Sequence, residues 1–86
     1  MDSLALAHWI MGDGAKHNRG LILCTDGFTI KETILLMDIL RIKFNISPTM
    51  YLLRGNPRIH IFRRDMLKII PLIKPHFVKS FLYKIY

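Results

Sequence analysis

Arg58 and His60 alternate with Ile59 and Ile61 just after a cluster of turn-forming residues. A strand there puts the cation and the imidazole on one face and both isoleucines on the other. Side chains of these types, offered outward, can bond phosphate oxygens or base edges. The rest of the chain suits such a partner. It carries thirteen Lys and Arg against six Asp and Glu, a net charge of +7, but the excess is unevenly placed. Residues 1–38 hold three basic and five acidic side chains, and residues 39–86 hold ten basic and one acidic. A basic surface favours a polyanion because phosphate contacts release condensed counterions. Nucleic acid is therefore the leading partner class; a ribosome-like or merely solvated basic surface has the same charge signature. Asp13, between Gly12 and Gly14, is as a residue type a turn former that bonds its own backbone, and Lys84 is a tail cation.

Other chemistries lack their residues. Cys24 is the single cysteine, so no intrachain disulfide can form, and His8, His17, His60 and His76 have no zinc-site spacing. No phosphate-cradling GxxxxGK[ST], nucleophile-elbow GxSxG or RNA-recognition aromatic motif occurs. No apolar run reaches the roughly 18 residues of a membrane span, because the apolar tail is cut by Lys68, Pro71, Lys74, Pro75, Lys79 and Lys84. Asp2 stands where a signal peptide has its cationic region, so no leader and no membrane partner is expected. Ile and Leu make up 25 of the 86 residues, a bias in keeping with an AT-rich organelle genome.

These side chains need a scaffold, and 86 residues allow one core. Ser3 is positioned to cap a helix that is apolar almost all round from Leu4 to Met11, so it must be covered on most sides. It should end at Gly12-Asp13-Gly14, where glycine permits a positive φ and a tight turn. A polar connector from Ala15 to Arg19 leads to a strand over Gly20 to Thr25. Thr29 and Glu32 form a capping box for a helix that ends near Asn45. A hairpin follows: Thr49 to Leu53, a turn through Arg54-Gly55-Asn56-Pro57, then Arg58 to Phe62. Met66 to Ile73 reads as a helix bent or shortened by Pro71, and Pro75 to Tyr83 as a last helix.

Leu6 to Gly14 reads LAHWIMGDG and resembles the signature of the LAGLIDADG homing endonucleases. RGLILCTDGFTIKE, NPRIHI and IKPHFVKSFLYKI resemble, in order, the strand and helix cap after that motif, the last hairpin and the C-terminal segment of intron-encoded members. The similarity runs from about Leu4 to Ile85 and is nearest the second half of two-motif members. It implies an α+β half-domain over residues 1–86, ordered α-β-β-α-β-β-α-α, with a saddle-shaped antiparallel sheet on the DNA major groove. The motif helices of two halves pack together in such proteins, as an all-round apolar helix requires.

The resemblance assigns roles residue by residue. Asp13, with the Gly12 carbonyl, would bind Mg²⁺ beside the scissile phosphate, a hard ion suited to carboxylate oxygen. Lys84 would act near the attacking water. Lys16, Asn18, Arg19, Arg54, Arg58 and His60 would face nucleic acid from the sheet. The implied function is site-specific cleavage of double-stranded DNA in the mitochondrion, by a homodimer or with a complementary LAGLIDADG half. The alternative is a non-catalytic RNA-binding protein, a maturase or organellar ribosomal component, on structured RNA. The chain departs from the pattern at His8, where the signature has a small residue, and at Cys24, Asp26 and Gly27, where the family more often has amides and Ser. Its single motif offers one Asp for the cutting of two strands.

Overall fold

The computed structural model, which describes residues 1–17, 20–25 and 27–86, has the expected α+β order. Its elements are α1 (Ser3–Asp13), β1 (Gly14–His17), β2 (Gly20–Cys24), α2 (Ile30–Phe44), β3 (Thr49–Leu53), β4 (Asn56–Ile61) and α3 (Arg63–Ile73). The expected last helix is instead two 3₁₀ segments, Lys74–His76 and Lys79–Lys84. Phe77 and Val78 between them are extended, so no α-helical hydrogen bonds cross the junction.

The strands form one antiparallel sheet in the order β1-β2-β4-β3. Leu21 pairs with Ile61 and Leu23 with Ile59, and all four side chains are buried under the helices. Leu6, Ala7 and Ile10 of α1, Leu40 and Phe44 of α2, and Met66, Ile69 and Ile73 of α3 complete this core. Alternation sends the intervening residues Ile22, Cys24, Arg58 and His60 to the other face of the sheet, where they are half-buried. Helices therefore cover one face, and the second is left as a surface.

Local chemistry explains most boundaries. Thr29 Oγ1 accepts the Glu32 N–H and the Thr29 N–H donates to Glu32 Oε1, the full capping box, and these bonds hold the Glu32 carboxyl below its ordinary pKa. Asn45 ends α2 in the left-handed conformation. Helix α1 is capped by Asp2 and not Ser3: Asp2 Oδ1 accepts the Ala5 N–H at 2.8 Å, a cap contributing about 1 kcal/mol. The hairpin turn is tighter than expected, because Asn56 and Pro57 already belong to β4. Arg54 and Gly55 make the turn alone, with φ of 54° and 82°, the pair of positive values that a two-residue type I′ turn needs. Pro57 is tolerated just beyond the β2 pairing, and its carbonyl accepts the Thr25 hydroxyl there. Helix α3 starts at Arg63, earlier than expected, and runs through Pro71 to stop at Ile73, two residues after the proline.

The exit from α1 also differs from expectation. Neither Gly12 nor Gly14 has a positive φ; Gly14 is extended (φ −81°, ψ 146°) and is already the first residue of β1. Its need for glycine is steric. A Cβ at Gly14 would lie 2.6 Å from the Ile10 carbonyl oxygen, whereas one at Gly12 would meet none of the described residues within 4 Å. Gly14→Ala is expected to destabilise the chain by about 1–3 kcal/mol, and Gly12→Ala to leave stability unchanged or slightly raised. Paired thermal melts check both.

Candidate active centre and nucleic-acid interface

Because β1 begins at the residue after α1 ends, no loop separates them, and Asp13 stands exposed at the corner. The end of α1 is held from the far end of the chain. Lys84 Nζ donates to the Met11 carbonyl at 2.6 Å, and the Val78 N–H reaches Met11 Sδ at 3.4 Å. Ile85 is buried and its carbonyl accepts from Arg63 Nη1 at 3.2 Å, which fixes the C-terminal segment against α3. A cation on a last-turn carbonyl also suits the negative end of the helix dipole. Asp13, Gly12 and Lys84 are thus brought to the same end of one helix. Lys84 is half-buried, with its ammonium group engaged by Met11 and 5.2 Å from the Phe81 ring. The contact ties Lys84 to that helix end.

Among the described residues no three His, Cys, Asp or Glu side chains cluster as a metal site. What the α1 corner offers is one exposed carboxylate beside a backbone carbonyl, both hard oxygen donors. This donor set fits Mg²⁺, which keeps several waters and takes only one or two carboxylates together with phosphate oxygens. It does not fit a zinc-type cage of nitrogen and sulfur ligands.

Register settles which candidates share the outer face of the sheet. One row holds Ala15, Ile22, His60 and Thr49, and the next holds Cys24, Arg58 and Tyr51. Arg54 is exposed at the hairpin tip. Lys16 does not join them: it pairs with buried Leu21, so it lies on the helix side of the sheet at its exposed edge. The connector was expected to be irregular; its pairing with β2 is what assigns the face. Asn18, Arg19 and Asp26 lie outside the described residues. No described strand residue on the outer face is a carboxylate, which leaves the field there positive.

Several residues on this surface escaped sequence reading. Thr49 and Tyr51 sit in an almost wholly apolar strand that masks its alternation, and His17 falls in what read as a connector. The His17 and His60 rings meet edge to face with centroids 5.7 Å apart, and His60 meets Phe62 at 4.4 Å. Gly20, on the strand between them, makes room for this packing: a Cβ there would stand 3.2 Å from His60 Nε2 and 2.6 Å from the Ile61 carbonyl oxygen.

The comparisons with known proteins bear on this arrangement. Residues 1–69 match the model of the LAGLIDADG DNA endonuclease family. This chain belongs to that family. The LAGLIDADG chain is 36% identical over 87 aligned positions to the intron-encoded endonuclease ai4 of Dictyostelium discoideum, covering 99% of itself and 55% of that protein. It is 38% identical to the cytochrome b mRNA maturase bI2 of Debaryomyces hansenii, covering 99% of itself and 33% of the maturase. The solved structure of the homing endonuclease I-WcaI bound to its DNA recognition sequence matches with a TM-score of 0.93 at 30% identity, over 100% of this chain and 41% of that one. The LAGLIDADG chain thus spans between a third and just over half of these relatives.

Two outcomes follow from the site geometry. Burial, and then the neighbouring His17, lower the pKa of His60 from its ordinary 6.5, so the unfolded chain binds the proton more readily than the folded one. Stability should therefore fall as pH is lowered through and below 6.5, and His60→Gln should flatten that slope in melts run at a series of pH values. Lys84→Met should cost about 1–2 kcal/mol by removing a charge-assisted bond, read as a lower midpoint in denaturant titration.

Proposed function

We propose that this LAGLIDADG chain is one half of a site-specific double-strand DNA endonuclease, acting in the mitochondrion. The observation that carries the reading is the placement of Asp13: an exposed carboxylate at the corner between α1 and a sheet whose outer face presents cations and no described carboxylate. The DNA-bound state of I-WcaI and the intron-encoded relatives support it. Duplex lies against the outer sheet face, where Arg58, Arg54 and His60 bond phosphate oxygens or base edges. Lys16 reaches at most a backbone phosphate from the sheet edge.

Asp13 and the Gly12 carbonyl would hold Mg²⁺ at the α1 corner. Bound there, the ion supplies Lewis-acid polarisation of the scissile phosphate and a more acidic water. Lys84 holds the last turn of α1 in place, so the Asp13 carboxylate is presented in one position. The sheet fixes the register of the duplex against that carboxylate.

One carboxylate serves one strand, so a second half is needed. Ala5, His8 and Gly12 are exposed at spacings of three and four and form one stripe of α1, with Leu4 beside it 47% exposed. Gly14 is explained by the chain's own packing, but among the described residues nothing requires a glycine at position 12. A helix backbone from a second copy or a complementary half, packed along this stripe, accounts for it.

Asp13→Asn should abolish Mg²⁺-dependent cleavage of the target isolated with the protein while leaving its affinity for that duplex within about threefold. Unchanged cleavage by the variant would remove Asp13 from the metal site. The relative named as a maturase favours a second reading, in which the same basic face binds structured RNA and Asp13 serves only the corner. Crosslinking in the native source separates the two: a single DNA locus supports the nuclease, and intron or ribosomal RNA supports the binding scaffold.

A further inference from the structure

Phe62 leaves β4 on the outer side of the sheet, beside His60, and its side chain is 40% exposed. The His60 and Phe62 rings meet in a T-shaped contact with centroids 4.4 Å apart and an interplanar angle of 68°, and the Arg64 guanidinium lies over the Phe62 ring, 5.9 Å from its centroid. Beside it opens a hollow of about 340 Å³ lined by Phe62, Arg63 and Arg64. This is the lower end of the range for small-ligand sites. The lining contains no carboxylate. Arg63 is already tethered, since its Nη1 donates to the Ile85 carbonyl at 3.2 Å, whereas Arg64 is exposed.

A flat apolar ring bordered by two guanidinium groups suits a ligand that is planar and aromatic at one end and anionic at the other. A nucleotide has both parts, and base–aromatic stacking accepts any base because each has a π face. Paired bases inside a duplex have both faces covered by their neighbours, so they cannot offer one to Phe62. An unpaired base can. We propose that this hollow takes an unpaired nucleobase stacked on the Phe62 ring, with its phosphate held by Arg63 and Arg64. The site rests on the reading of the outer face as a nucleic-acid surface and extends its ligand from duplex to single-stranded segments at one end of the sheet.

The test measures binding of the full chain to an oligothymidylate, an oligouridylate and a mixed-sequence duplex of equal length. Phe62→Leu, which keeps an apolar side chain without the ring, should weaken binding of the single strands at least about fivefold. Its duplex affinity should stay within about twofold of the parent, and Phe62→Tyr should restore single-strand binding. Arg64→Ala should reduce the single-strand salt slope by about 0.7. Thermal melts of each variant verify the fold. Single-strand binding that is indifferent to Phe62→Leu, or an equal loss on duplex and single strand, overturns the proposal. A parent chain that binds duplex but neither oligomer overturns this site alone, and one that binds none of the three overturns the interface reading as well. With the Phe62 dependence present, the more tightly bound oligomer identifies RNA or DNA as the source strand.

Discussion

The structure turns on the close approach of the Gly14 backbone to the Ile10 carbonyl. With a gap too small for a Cβ, the chain passes from helix to edge strand without an intervening loop. That junction sets the position of Asp13 and brings β1 into register with β2. It also leaves the last carbonyls of α1 at the surface of the fold, where they need partners. Lys84 supplies one of them, tying the C-terminal segment to the first helix.

The second constraint is the separation of charge. Residues 39–86 contain one acidic side chain, Asp65, and it is 2% exposed. Its Oδ2 accepts the Ser47 N–H at 3.0 Å, and Lys68 Nζ lies 3.7 Å from Oδ1, so its charge is spent on joining α3 to the segment before β3. Burial of that carboxylate leaves the basic residues of this half undiluted at the surface. The pleat then does the sorting. In β2 and β4 the same alternation that packs Leu21, Leu23, Ile59 and Ile61 under the helices points Arg58 and His60 the other way.

Elements governed by local chemistry could be read directly. The Thr29 and Glu32 box, the Asn45 end of α2 and the Arg58–Ile61 alternation each depend on residues a few positions apart, and each is present in the structure. The differences arise where the deciding partner is distant in sequence. A glycine pair suggested a left-handed turn at Gly12 and Gly14, but the Ile10 carbonyl made the constraint one of space. Lys16 shares its positive charge with the sheet's outer cations, and only its pairing with Leu21 reveals that it belongs to the other face. Phe62 read as the end of a strand, and its place between His60 and Arg64 needed the packed corner of β4 and α3.

By itself the sequence determined the α+β order, the family, the polyanion-seeking charge and the candidacy of Asp13, because composition, periodicity and short motifs are properties of neighbours along the chain. The tertiary structure decided that Arg58 and Lys16 occupy opposite faces of the sheet, that Lys84 bonds the end of α1, and that Phe62, packed against His60, lines a hollow with Arg63 and Arg64. These depend on strand register and on contacts between residues far apart in the chain. A shift of one residue in that register would send every side chain of a strand to the opposite face.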